Sequence, residues 1–278
     1  MIKDNRIIYD DNGTKVDYSL ELNKIQELTL SKTLVALEDK IYIGSSFPFN
    51  SRFFNVSTVN TNASVVTVKV YDGSAWTAVA DKLDGTSLSG ASMGKSGILQ
   101  FTPSNSVSWP RVSNSADITE LSDFTIYNMY WLELSFSANF SATVFNYIGH
   151  KFCDDEQLYS FYPELGRTEV KSGFETGKTT WIEQEVAASD VIISDLIKKG
   201  RIVGPSQILN WEKFTIPCIH QTASLVFRAM GDDWKDQFAQ AIKDYKEAIE
   251  MSVLDIDWDN DGRLDLGEQL RIQTVVRR

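Results

Sequence analysis

The chain has 278 residues, 42% hydrophobic and 23% charged, which fits one large or two modest globular domains and excludes wholesale disorder. Aspartate and glutamate number 38 against 27 lysines and arginines, a net charge of -11, which argues against gripping nucleic acid or an anionic membrane. Two cysteines exclude a disulfide framework. The opening MIKDNRIIYDDNG lacks the apolar core of a secretion signal, and no apolar run approaches about 18 residues, so a soluble protein made in the cytoplasm is expected.

Up to residue 150 the chain is rich in Ser, Thr, Asn, Gly, Val and aromatics, with turn dipeptides at Asp72-Gly73 and Asp84-Gly85. SVVTVKVY (Ser64 to Tyr71) and YWLELSF (Tyr130 to Phe136) alternate apolar and polar residues, which puts one strand face in a core and the other in water. Strands are expected near 34–37, 53–59, 64–71, 76–80, 97–101, 124–136 and 142–148. Short strands divided by turn signals predict an antiparallel sandwich.

Beyond residue 150 the period becomes helical. Asp154 with Gln157 three residues on has the form of a capping box, and so has Thr180 with Glu183. Ile182, Val186, Ile193 and Leu196 share a face of the second helix, which Gly200 stops. Pro205 suits the first turn of a third helix, and Pro217 the start of a fourth that ends at Gly231. Trp234, Phe238, Ile242, Tyr245 and Ile249 recur every three or four residues in a fifth, ending near Leu254. The expected fold is therefore α+β: an N-terminal antiparallel β-sandwich over 1–150, then a C-terminal helical bundle over 151–278. The second half is the more acidic, net -7 against -4.

One motif is sharp. Asp257, Asp259, Asp261, Gly262 and Glu268 match the calcium-loop pattern D-x-[DN]-x-[DN]-G-x5-E at every defined position. Calcium takes about six to eight oxygens, and alternating carboxylates wrap one side of the ion while the glycine turns the chain back. Arg263 would give its backbone carbonyl, its side chain playing no part; Asp265 would act directly or through water, and Glu268 would close the site. The bland alternative is a solvated acidic turn. The motif stands alone, and calcium sensors usually pair such loops, so a bound ion would staple the helix end to the tail rather than signal.

Other constellations are weaker. His150 and Cys153, with Cys218 and His220, are zinc-ligand types, but residues two apart on a helix point to nearly opposite faces. No nucleophile elbow, phosphate loop or dinucleotide fingerprint occurs, so no catalytic residue and no enzyme activity are expected. Trp76, Trp109 and Trp131 would stack on sugars if exposed, although aromatics at strand period usually fill a core. The tail carrying Arg271, Ile272, Val275, Val276, Arg277 and Arg278 is basic and apolar on an acidic body. It reads either as a frayed end or as an arm that contacts a neighbouring subunit.

The second half resembles the head–tail adaptor (connector) proteins of tailed bacteriophages. CDDEQLYSFYPEL, IPCIHQTASLVFRAMG, DDWKDQFAQAIKDYKEAIE and the acidic DIDWDNDGRLD carry the resemblance. The first half, through IYIGSSFPF, VKVYDGSAWTAV, LDGT, SGILQF and YWLELSFS, resembles a sandwich module of phage structural proteins, which adaptors often lack. The resemblance implies a virion protein, made in the host cytoplasm. It implies a homo-oligomeric ring, commonly of twelve subunits, between the portal protein and the tail or neck proteins. DNA would pass through it without sequence-specific binding and no membrane would be involved. The alternatives are another neck or tail component, such as a terminator or baseplate subunit, or a calcium-dependent carbohydrate- or protein-binding module.

Overall fold

The computed structural model describes residues 5–25, 30–104, 108–125, 128–252 and 263. The fold is α+β, with two antiparallel sheets followed by helices. The first sheet runs β2 (Thr14–Asp17), β1 (Arg6–Asp11), β4 (Lys40–Ser45), β10 (Tyr130–Phe136), β6 (Val66–Tyr71), β7 (Trp76–Ala78). The second runs β3 (Leu30–Lys32), β11 (Thr143–Gly149), β5 (Ser51–Thr58), β9 (Gly97–Thr102), β8 (Asp81–Asp84). Between β2 and β3 lies one helical turn, α1 (Ser19–Leu22).

Both sheets feed one apolar core. Ile43, Val68 and Leu134 enter it from the first sheet, and Phe54, Leu99 and Phe145 from the second. The opposite face of the first sheet is covered as well: Tyr42, Tyr71 and Trp131 pack there against Val112, Ile118, Leu121 and Met129. This corrects the expectation of a wet face for YWLELSF. All seven residues of β10 are buried, Glu133 among them at 1% exposure, held between Lys40 (3.1 Å) and Lys69 (2.9 Å). Gly44 faces Trp131 across the β4–β10 pair. A Cβ on Gly44 would stand 2.8 Å from the indole Cη2, so the ring occupies the space a side chain would need.

Strands expected near 53–59, 64–71, 97–101 and 142–148 form within two or three residues of those bounds. The strand expected at 34–37 does not: Leu37 has φ 63 and sits in a turn, and the strand follows at Lys40–Ser45. Where a strand was expected over 124–136, β10 spans Tyr130–Phe136.

The helices are α2 (Asp155–Phe161), α3 (Thr168–Phe174), α4 (Ile182–Lys198), α5 (Thr215–Met230) and α6 (Lys235–Met251). The capping box at Asp154 forms: its carboxylate accepts from the Gln157 N–H at 2.9 Å, and the Gln157 side chain accepts from the Asp154 N–H at 3.1 Å. The box expected at Thr180 does not form, because Lys178 captures Glu183 at 2.8 Å and Trp181 takes the cap position of α4. Helix α3 lies in sequence that suggested none. Helix α5 ends at Gly231, whose φ of 90 suits a residue without a Cβ. Helix α6 buries Ala241, Tyr245 and Ile249 at four-residue intervals, while Trp234 precedes it and stacks on Phe227, centroids 5.2 Å apart.

The described residues form two compact units. One takes the chain through Gly149, regains it at Gly204–Leu209 and includes Arg263; the other holds His150–Val203 and resumes at Asn210. The helix expected from Pro205 is therefore only a 3-10 turn, Pro205–Gln207. There the Ser206 hydroxyl accepts from Arg52 at 2.9 Å and the Leu209 carbonyl accepts from Asn50 at 2.9 Å. Those bonds and the burial of Ile208 and Leu209 hold the segment against the strands, which stops the helix from propagating.

Candidate functional site

Of the expected calcium loop, Asp257, Asp259, Asp261, Asp265 and Glu268 lie outside the described residues, as do Arg271, Ile272, Val275, Val276, Arg277 and Arg278 of the tail. Arg263 is described. Its guanidinium donates to the carbonyls of Pro103, at 3.1 Å, and Ser104. The side chain thus has a role of its own, tying residue 263 to the loop after β9.

The aromatic residues weighed for sugar stacking go elsewhere. Trp109 lies in the shared core and its indole N–H donates to the Trp131 carbonyl at 3.2 Å. Trp131 is wholly buried on the other face of the first sheet. Trp76 is half-buried between Tyr42 and Tyr71, with centroids at 5.2 and 5.4 Å.

The zinc-type residues are brought together only in part. Cys153, just ahead of α2, and Cys218, in the first turns of α5, place their sulfurs 2.8 Å apart. Both are free thiols, 3% and 0% exposed. His220 turns to Tyr162, with Nδ1 2.8 Å from the phenol oxygen, and burial lowers its pKa against the pull of Asp244. Among the described residues no three His, Cys, Asp or Glu side chains converge to hold a metal.

Around the thiols lies a buried polar cluster that sequence reasoning missed. Lys151 pairs with Glu185 of α4 at 2.8 Å, the two side chains 8% and 0% exposed. Burial pushes the Glu185 carboxyl up to about 7, against the pull of the Lys151 ammonium. Burial pulls Lys151 down, and the Glu185 carboxylate more than offsets it, leaving the ammonium above its ordinary value. Glu185 Oε1 has no hydrogen-bond partner among the described residues. Ser189, one turn along α4, donates to the Glu185 carbonyl at 2.8 Å and lies 3.5 Å from the Cys218 sulfur. Thr222, one turn along α5, lies 3.7 Å from the Cys153 sulfur. Burial, followed by the Cys218 contact, holds the Cys153 thiol well above its ordinary pKa, so it stays protonated near neutrality. The only signal in the sequence was a glutamate and a serine at i, i+4 on the apolar face of a helix.

No protein-family model matches the chain, and no curated protein matches it.

The chemistry open to the cluster is limited by access. A lysine, a carboxyl near neutrality and two thiols would suit proton transfer or nucleophilic attack if a substrate reached them. All four groups are buried, at 8% exposure or less. Elsewhere in the helical unit a groove of about 580 Å³ lies between α5 and α6, bordered by Ile216, His220, Asp244 and Met251.

Proposed function

We propose that the protein is a structural component of a phage virion, an adaptor of the head–tail connector that forms a ring between portal and tail. The observation that carries this reading is where the resembling segments fall. CDDEQLYSFYPEL opens with the capped helix α2, IPCIHQTASLVFRAMG is α5, and DDWKDQFAQAIKDYKEAIE leads into α6, all in one compact unit. Helices α4, α5 and α6 pack side by side, which supports a helical bundle; one core fed by two antiparallel sheets supports a β-sandwich module ahead of it.

The charge of -11 supports the same reading. An acidic ring repels phosphate, so DNA slides through its lumen instead of adhering. Ring closure needs two complementary flanks and no catalytic site. Asp257, Asp259, Asp261, Asp265 and Glu268 would fix the exit of the tail through Ca2+, and Arg271 to Arg278 would dock on the portal. Among the described residues no helix is long and apolar enough to cross a membrane.

The test is mass photometry of the full chain mixed with its portal protein, with and without calcium. A ring-sized complex is expected. Its absence under both conditions would overturn the adaptor reading.

A further inference from the structure

We propose that Cys153 and Cys218 are a site of covalent modification, an intramolecular disulfide that forms by exchange with a low-molecular-weight disulfide. The two cysteines of the chain stand 65 positions apart, yet their sulfurs meet at 2.8 Å inside the helical unit. They need to close by less than about 1 Å to reach an S–S bond of about 2.05 Å. The surroundings suit the pair. The hydroxyls of Ser189 and Thr222 and the carbonyl of Glu185 lie 3.5, 3.7 and 3.7 Å from the sulfurs, so each thiol has a polar neighbour in an otherwise packed interior. Among the described residues no third His, Cys, Asp or Glu joins the two sulfurs as a competing metal-ligand set, and His220 is engaged by Tyr162.

The exchange balances without a further reagent. One cysteine ionises, and its thiolate attacks a sulfur of the small disulfide, forming a mixed disulfide and expelling one small thiolate. The second cysteine ionises and attacks the protein sulfur of that mixed disulfide, expelling the other. The protein gives up two electrons, the small disulfide is reduced to two thiols, and the two cysteine protons end on them. Burial of both sulfurs makes the reaction slow in the folded chain and fast during folding or opening. The pair therefore stays reduced in a reducing cytosol and closes on transfer to an oxidising medium. The bond would tie the residue ahead of α2 to α5, across a loop that contains α2, α3 and α4. This site is independent of the adaptor reading.

The experiment uses the full chain and oxidised glutathione. One sample is incubated folded; another is unfolded under reducing conditions and refolded in a glutathione redox buffer. Both are alkylated in denaturant and weighed intact, then digested and mapped. The expected product carries no alkyl group, has lost two hydrogen masses, and gives one peptide pair joining Cys153 to Cys218. It melts about 10 °C higher than the reduced chain. Cys218→Ser serves as the control, in which Cys153 remains alkylatable or carries one glutathione. Three results would each overturn the proposal: both thiols alkylated in full in both arms, glutathione adducts without the internal link, or links only between chains.

Discussion

Glu185 makes the stability of the helical unit fall as pH rises towards neutrality. Its carboxyl moves from an ordinary 4.5 in the unfolded chain to about 7 in the folded one, a displacement that corresponds to a ceiling of about 3 kcal/mol. The group is fully buried, so no solvent screening reduces that figure. Because the folded pKa is the higher, the folded state holds a proton that the unfolded state releases. Stability is then greatest below about pH 4.5, declines through the interval up to about 7, and is flat above it. Lys151 stays charged across that interval in both states and adds no slope. Urea unfolding followed by the far-ultraviolet helical signal, at several pH values from 5 to 8, measures this directly, since among the described residues every α-helix but α1 lies in that unit. The comparison is the double variant Lys151→Met, Glu185→Leu, which should lose this part of the slope and be about as stable as the parent, or more so. Lys151→Met alone should extend the decline above pH 7 and cost about 3–5 kcal/mol at pH 8, because the buried carboxylate would lose the ammonium paired with it. An identical slope in parent and double variant would refute the reasoning.

Gly44→Ala should destabilise the first unit by about 1–3 kcal/mol, because the new methyl meets the Trp131 ring at 2.8 Å; an unchanged urea midpoint by tryptophan fluorescence would count against that packing. Asp154→Ala should cost about 1 kcal/mol, seen as a lower Tm, while Asp154→Asn should recover most of it. Asp257→Ala combined with Glu268→Gln should abolish calcium binding by calorimetry, and equal heats in variant and parent would dismiss the metal site. If calcium binds the native chain and not the unfolded one, the same ion should raise the Tm of the parent.

Much of the fold was legible because local rules and tertiary contacts agreed. Asp154 with Gln157 forms its box, and the four-residue rhythm of Tyr245 and Ile249 marks the buried stripe of α6. Errors arose where a competing partner, near or far along the chain, overruled a local preference. Thr180 lost its box to Lys178, which holds Glu183, and Pro205 lost its helix to contacts with Asn50 and Arg52. The alternation in YWLELSF was correct as a strand and misleading about solvent, since a layer over the second face of a sheet leaves no trace in the strand's own sequence. The candidate site was less legible still. Lys151 with Glu185, and Cys153 with Cys218, are pairs made by folding, and no spacing rule joins residues 34 or 65 positions apart.

The return of Gly204–Leu209 to the strands has a consequence for how this chain can change over generations. The polypeptide passes from one unit to the other at 149/150, 203/204 and 209/210, so neither unit up to residue 252 is an uninterrupted stretch of coding sequence. A single recombination crossover at residue 150 would hand the strands a foreign partner for Arg52 and Asn50, and leave Ile208 and Leu209, each 4% exposed, without their seat. The two halves are thereby inherited together: an exchange of the first half succeeds only if six residues from the middle of the second travel with it.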